Sequence, residues 1–146
     1  MSATERIAAI ERRTRETAVN VVLSLDPGLT HVSTGIGFLD HLFSTLALHA
    51  GFSLSLACTG DLEVDDHHSA EDCALAVGTA LRQAMGDAIG LARFGYAYAP
   101  LDEALARAVV DLSGRPCAVV ELGLQRPAIG ALASENVAHV IKSMAT

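Results

Sequence analysis

A dense cluster of histidines and carboxylates at the start of an amphipathic segment constrains this chain more than any other feature. The eight residues Asp65–Asp72 contain two imidazoles and four carboxylates. Apolar and small residues then recur at three- and four-residue spacing up to Met85, and Gly86 follows as a helix stop. The pattern predicts a helix over Ser69–Met85 that buries one face and carries the charged cluster at its amino end.

The charged cluster has the residue types and the spacing of a metal site. In helical geometry His67 and Glu71 lie one turn apart on one face, where both can bind the same ion. His68 points about 100° away from His67, which favours a second ion or a substrate. A solvated surface is the alternative, because carboxylates at a helix amino end also interact favourably with the helix dipole. The concentration of negative charge favours a divalent-metal site, since these charges repel one another without a cation.

Composition indicates one globular domain that acts on small molecules. The 146 residues are 51% hydrophobic and 18% charged, with a net charge of −7. The chain has no basic stripe, so we expect neither nucleic acid nor an anionic membrane as a partner. No apolar stretch approaches the roughly 20 residues of a membrane span. The segment Met1–Thr17 alternates acidic and basic residues, unlike a signal peptide, which predicts a cytoplasmic location.

The three cysteines are expected to be buried, reduced thiols. Cys58, Cys73 and Cys117 are odd in number, lack any Cys-x-x-Cys spacing and lie in apolar stretches. These properties favour structural cysteines over metal ligands or disulfides.

The first half of the chain predicts a strand, helix, strand, helix order. Alternating apolar residues predict strands over 19–25 and 29–33, which the turn at 26–28 would join into a hairpin. Helical spacing begins at 34–37 and continues to Ala50, where Gly51 closes the helix. Alternation returns over 52–58, before the helix that carries the charged cluster.

The second half predicts a hairpin and a final helix. The turn Ser113–Pro116 lies between a β-rich stretch at 108–110 and another at 117–124. Apolar residues at helical spacing predict a helix over 134–146, and its one histidine, His139, is expected to be structural. A strand, a glycine and a helix occur in both halves, which is weak evidence for an internal repeat.

Four motifs in a fixed order relate this chain to a known family. They are Ser33–His41, Asp65–Asp72, Asp102–Leu105 and Asp111–Pro116, and they include the runs Gly-Ile-Gly-Phe-Leu-Asp-His and Asp-Asp-His-His-Ser-Ala-Glu-Asp. With these motifs the chain resembles the imidazoleglycerol-phosphate dehydratases of histidine biosynthesis from about residue 6 to its last residue.

The resemblance implies an α+β fold in one domain over residues 1–146. The fold would be a two-layer α/β sandwich from a duplicated half-domain with a left-handed β-α-β crossover. The first repeat would cover about residues 6–90 and an incomplete second repeat about 91–146. Similar proteins assemble from trimers into a 24-subunit shell. The resemblance also implies a further strand and a second His-His-x-x-Glu helix, which this chain does not contain. We therefore expect the 146-residue chain alone to be inactive and to remain trimeric or smaller.

The resemblance implies two Mn²⁺ ions in each complete site. The enzyme would remove water from imidazole glycerol phosphate to give imidazole acetol phosphate, with the substrate ring held between the ions. At the positions that match the family, one ion would take His67 and Glu71, and the other would take His41 and His68. This assignment agrees with the diverging directions of the two adjacent histidines.

The resemblance also assigns an acid–base residue and the substrate contacts. Glu16 matches the family's acid–base glutamate, although an exposed glutamate at a strand end is the alternative. Arg93 and Arg115 match phosphate-binding arginines, whose bidentate geometry suits a phosphomonoester, or they are surface residues. His49 matches a substrate-contacting position, or it caps the helix before Gly51.

Two other functions fit parts of the sequence. A catalytically silent metal-binding or assembly form of the same family would keep the histidine cluster without turnover. A metal-dependent phosphohydrolase could use the histidines at 41, 67 and 68 with Asp40. Phosphohydrolases of that kind are all-helical, so the predicted strand at 52–58 argues against this alternative.

Overall fold

The computed structural model describes residues 6–146, which form eight strands and three helices. Their bounds are β1 (Ile7–Arg13), β2 (Thr17–Ser24), β3 (Thr30–Ser33), α1 (Gly37–Ala50), β4 (Ser53–Gly60), α2 (His67–Met85), β5 (Phe94–Leu101), β6 (Ala104–Asp111), β7 (Ala128–Ile129), β8 (Leu132–Ala133) and α3 (Ser134–Met144). Residues 1–5, which belong to the Met1–Thr17 segment that we predicted not to be a signal peptide, lie outside this range. No helix among the described residues is long and apolar enough to cross a membrane.

A mixed four-stranded sheet forms the body of the first half. Its strand order is β1-β2-β4-β3, with antiparallel pairing except between β3 and β4. The unit β3-α1-β4 is therefore a β-α-β connection between parallel neighbours, and the predicted α+β class is confirmed. The predicted hairpin of 19–25 with 29–33 is wrong, because β4 lies between these strands. The pairing of β2 with β4 brings the buried side chains Val21 and Leu56 together, which a direct β2–β3 hairpin would not do.

Helix α2 packs on this sheet with a face of small residues. Strands β2 and β4 alternate buried and exposed positions, so that one face of each presents apolar side chains. The residues that α2 buries are mostly alanine, together with Cys73 and Val77. Small side chains allow the helix to approach the strands closely. The predicted helix over 69–85 is confirmed, and it begins two residues earlier, at His67.

Helix α3 crosses α2 at a glycine. A Cβ atom built on Gly78 would lie 2.3 Å from the carbonyl oxygen of Met144. Two helices come this close only where one of them lacks a side chain. Gly78 therefore fixes the carboxyl end of α3 against α2. The amino end of α3 is fixed by the hydrogen bond from the Ala133 N–H to Asp66.

The close approach at Gly78 leads to a stability prediction. In an isolated helix an alanine would be about 1 kcal/mol more favourable than glycine. We expect Gly78→Ala to destabilise the protein instead, by about 1–3 kcal/mol, because the new methyl group must displace α3. Urea unfolding followed by circular dichroism measures the change. Gly37→Ala, where a Cβ meets no atom within 4 Å, is the control and should be neutral or stabilising. A stabilised Gly78→Ala variant would show that α3 is not held there.

The hairpin of the second half is displaced from its predicted position. Strand β6 forms where a strand was predicted, but its partner is β5, and residues 117–124 form no strand. The turn is formed by Asp102 and Glu103, and Asp102 has a positive φ of 49°, as tight hairpin turns require. Every residue of β5 and β6 is exposed.

The cysteines are not all buried. Cys73 is buried and Cys58 is half-buried, whereas Cys117 is exposed. The expectation for Cys117 is wrong because its segment runs over the surface instead of pairing as a strand.

An antiparallel strand pair and a later helix recur in the second half, which agrees with a duplicated half-domain. The repeat boundary near residue 90 remains a prediction.

Candidate metal centre

Two carboxylates directly before α2 hold its amino end in place. Asp65 Oδ1 accepts a hydrogen bond from the backbone N–H of His67 at 2.8 Å, which satisfies a free donor of the first turn. Asp66 Oδ2 accepts one from the backbone N–H of Ala133 at 2.6 Å. Ala133 immediately precedes α3, so Asp66 joins the start of α3 to the start of α2.

Three side chains converge between these two helix ends. Possible ligand atoms of His67, Glu71 and His139 all lie within 4.8 Å of one another. Glu71 Oε2 is 3.6 Å from His67 Nε2, and Glu71 Oε1 is 3.3 Å from His139 Nε2. The two imidazoles stack, with ring centroids 4.9 Å apart. Two imidazoles and a carboxylate suit a transition-metal ion such as Mn²⁺ or Zn²⁺. The prediction that His67 and Glu71 share one face of the helix is confirmed.

His139 is the residue that sequence reasoning misplaced. We expected a structural histidine, yet its ring lies against His67 and its Nε2 faces Glu71. A signal was present in α3, where polar Asn136 and Ser143 interrupt the buried face at helical spacing from His139. Polar residues on a buried helix face need partners, so this pattern indicates a polar site under the helix.

The adjacent histidines His67 and His68 diverge, as their spacing predicts. Their ring centroids are 6.0 Å apart and their planes are inclined by 70°. His67 Nδ1 lies 3.1 Å from Asn136 Oδ1, and His68 Nδ1 lies 2.9 Å from Asp61 Oδ2. The hydrogen bond with Asp61 raises the pKa of His68, partly opposed by burial.

Glu16 lies in the β1–β2 turn, which is attached to α2. Its negative charge is among the smaller causes that raise the pKa of His68. The backbone N–H of Glu16 donates to Thr14 Oγ1 at 3.2 Å, and that hydroxyl donates to Asp72 Oδ2 at 3.3 Å. Asp72 also accepts hydrogen bonds from Thr17 Oγ1 and, at 2.7 Å, from Arg12 Nε. Asp72 thus joins the β1–β2 turn to α2.

The buried carboxylate of Asp72 makes stability depend on pH. Burial alone raises the pKa of Asp72, but hydrogen bonds from Thr17 and Arg12 outweigh it, and the pKa is lowered overall. A carboxyl whose pKa is lower in the folded state stabilises the protein above its unfolded pKa, about 3.9, and loses that contribution as pH falls. We expect Asp72→Asn to cost about 1–3 kcal/mol near neutral pH and to flatten the acid limb of the stability curve.

Urea unfolding measured between pH 7 and pH 3 tests this expectation for Asp72→Asn. Asp26→Asn, at an exposed position, is the matched control and should keep the parent's pH dependence. If the free energy of unfolding of Asp72→Asn falls as steeply with decreasing pH as that of the parent, other carboxylates cause the pH dependence.

The other predicted site residues lie outside the three-residue group. His41 and His49 are exposed on α1, and His41 is 6.2 Å from the ring of Phe38. Among residues 6–146, no group of three metal-ligand side chains includes His41 or His68. Their assignment to a second ion remains a prediction.

The two predicted phosphate-binding arginines lie at the open end of the β5–β6 hairpin. Arg93 donates to both carboxylate oxygens of Asp111, at 2.8 and 3.3 Å. Arg115 is exposed in the turn after β6, and its positive charge contributes to the lowered pKa of Asp111. The guanidinium of Arg93 would have to leave Asp111, at least in part, to bind a phosphate.

Comparison with known proteins agrees with the family resemblance of the sequence motifs. The family model for imidazoleglycerol-phosphate dehydratase matches residues 34–146. The imidazoleglycerol-phosphate dehydratase of Trichoderma harzianum is 48% identical, over 96% of this chain and 79% of its own length. The one from Pyricularia oryzae is 51% identical, over 99% of this chain and 76% of its own length.

Solved structures give the same result. The crystal structure of imidazoleglycerol-phosphate dehydratase from Staphylococcus aureus has a TM-score of 0.78 and 32% sequence identity, covering 95% of this chain and 77% of that one. The enzyme from Pyrococcus furiosus, in complex with (S)-C348, has a TM-score of 0.75 and 29% identity, covering 93% and 72%.

The proteins that this chain matches in sequence and structure are dehydratases, a class of hydro-lyases. This chain belongs to the imidazoleglycerol-phosphate dehydratase family. An all-helical phosphohydrolase is excluded by the four-stranded sheet.

Proposed function

We propose that this protein is a Mn²⁺-dependent dehydratase that converts imidazole glycerol phosphate into imidazole acetol phosphate and water, in histidine biosynthesis. The observation that carries the proposal is the convergence of His67, Glu71 and His139 in a chain of this family. Two histidines and a carboxylate are donors that Mn²⁺ accepts.

The proposed division of labour follows from the side chains. His67, Glu71 and His139 would hold one ion, and His41 and His68 would contribute to a second. When bound, the ions would act as Lewis acids and stabilise negative charge on the imidazole ring of the substrate. Asn136 and Asp61 contact the Nδ1 atoms of His67 and His68, as groups that orient metal-binding histidines do.

Proton transfer is assigned to Glu16. Glu16 lies in the turn that Asp72 attaches to α2, and its negative charge contributes to the raised pKa of His68. A base there would remove the C–H proton from the second side-chain carbon and return a proton to the hydroxyl that leaves the carbon beside the ring, which gives the enol of imidazole acetol phosphate. Arg93 and Arg115 would bind the phosphate, and His49 would contact the substrate. A phosphorylated imidazole is thus the proposed small-molecule partner.

A catalytically silent metal-binding form is the second candidate. It is favoured by one observation: within the described residues only one group of three metal ligands is complete. The main proposal includes a homo-oligomer, either a trimer or an assembly of trimers, which the family resemblance implies. It also includes the cytoplasmic location that the sequence predicts.

Incubation with Mn²⁺ and imidazole glycerol phosphate of a form that also carries the second His-His-x-x-Glu helix distinguishes the candidates. In that form the proposed enzyme releases imidazole acetol phosphate, stops when a chelator removes the metal, and recovers when Mn²⁺ is returned, whereas the 146-residue chain alone is expected to be inactive. The silent form binds Mn²⁺ and gives no product. Turnover that is indifferent to chelation would overturn the metal requirement, and failure to bind Mn²⁺ would overturn both candidates.

A further inference from the structure

The imidazole of His67 has a different neighbour at each of its two nitrogens. Nδ1 lies 3.1 Å from the amide oxygen of Asn136, whereas Nε2 faces Glu71 Oε2 at 3.6 Å. The first distance is that of a hydrogen bond and the second is too long for one. The proton of a neutral His67 ring is therefore satisfied at Nδ1 and not at Nε2.

Asn136 is an unusual residue for the place that it occupies. It is 4% exposed and lies on the face of α3 that buries Val137 and Val140. A buried amide lowers stability unless it has hydrogen-bond partners, and a leucine of similar size would pack there without that cost. The position of the amide is thus accounted for by its contact with His67.

We propose that Asn136 is a positioning residue that holds His67 with its proton on Nδ1 and the lone pair of Nε2 directed at the metal. Its amide oxygen can only accept, so the bond requires a protonated Nδ1. The tautomer of a histidine is set by the bond that its other nitrogen makes. The inference rests on the proposed metal site and adds the residue that prepares it.

Both adjacent histidines are prepared by residues from outside α2. Asp61, which precedes α2, contacts Nδ1 of His68 as Asn136 contacts Nδ1 of His67. The two rings consequently present Nε2 in different directions. Because Asn136 comes from α3, the orientation of His67 depends on the docking of α3, which also delivers His139.

The tautomer can be measured without any metal. Long-range ¹H–¹⁵N spectra of protein labelled at histidine distinguish the two tautomers, and a His67→Gln variant identifies the His67 signals. We expect the Nδ1–H form in the parent and in Asn136→Asp, whose carboxylate accepts the same hydrogen. Asn136→Leu should lose that preference, and Val140→Ala, which removes packing from the same helix face but leaves the Asn136 amide in place, should keep it.

Metal affinity gives the second readout. Loss of a residue that supports a metal ligand weakens binding by about 10- to 100-fold. We expect that loss of Mn²⁺ affinity in Asn136→Leu, with recovery in Asn136→Asp and little change in Val140→Ala. Circular dichroism verifies that α3 remains folded in each variant.

The outcomes separate this inference from the function on which it rests. If Asn136→Leu keeps both the tautomer and the Mn²⁺ affinity of the parent, Asn136 is not a positioning residue, while the metal site stands. If the parent binds no Mn²⁺, the metal site fails, and the inference fails with it whatever the tautomer. If Asn136→Leu and Val140→Ala lose the Nδ1–H preference and the Mn²⁺ affinity equally, Asn136 contributes only general packing.

Discussion

Replacing His139 with alanine should weaken Mn²⁺ binding by 100-fold or more, an effect as large as that of His67→Ala or Glu71→Ala. Removal of a supporting residue already costs about 10- to 100-fold, and removal of a ligand should cost at least as much. Possible ligand atoms of all three side chains lie within 4.8 Å of one another, so each substitution would leave an ion there with two protein donors. Titration followed by calorimetry or by the electron spin resonance of free Mn²⁺ measures the affinities.

His31→Ala is the matched control for His139→Ala. His31 is an exposed histidine on β3, and the convergent group of ligands does not include it. Its loss should leave Mn²⁺ affinity unchanged. Parent-like affinity in His139→Ala, combined with lost affinity in His67→Ala, would remove His139 from the site and restore its interpretation as a structural residue.

Glu16→Gln should lower kcat by about 10²- to 10⁴-fold, the usual contribution of general acid–base catalysis. Glutamine keeps the size of the side chain but cannot accept the proton, so Mn²⁺ affinity and KM should change little. Arg115→Ala should have the opposite pattern, with a raised KM and a smaller change in kcat, because it would bind the phosphate in the ground state and the transition state alike. Steady-state assays of the active enzyme separate the two patterns.

Glu11→Gln is the control for the loss of charge at Glu16. Glu11 lies on β1, where its carboxylate is exposed and contacts Arg13. Both kinetic constants should stay near those of the parent. The assignment of Glu16 is wrong if Glu16→Gln preserves kcat and raises KM as Arg115→Ala does.

The parts of the fold that sequence predicts are those with a strong local period. Helices α1 and α2 and strands β2 and β4 have regular spacing of apolar residues, and a glycine marks the carboxyl end of α1, α2 and β4. Strand β1 was missed because charged residues interrupt its apolar pattern. One of them, Arg12, is half-buried because it pairs with Asp72, sixty residues away in sequence. A local pattern cannot contain that partner.

The candidate site likewise has one part that the sequence predicts and another that it does not. His67 and Glu71 are one helical turn apart, so their convergence follows from α2 alone. His139 reaches them only because α3 crosses α2 at Gly78 and because Asp66 holds the start of α3. Both contacts depend on tertiary packing, and neither is visible as a spacing in the sequence. The β2–β4 pairing was missed for the same reason.

The exposed β5–β6 hairpin makes the intrinsic fluorescence of this protein a local probe. The chain has no tryptophan and two tyrosines, Tyr96 and Tyr98, both on β5 with exposures of 78% and 59%. Their rings lie 6.4 Å apart, so they emit from one shared environment. Tyrosine emission and its quenching by iodide will therefore report whatever covers this hairpin, such as a neighbouring subunit, and will give little signal when the α2 core melts.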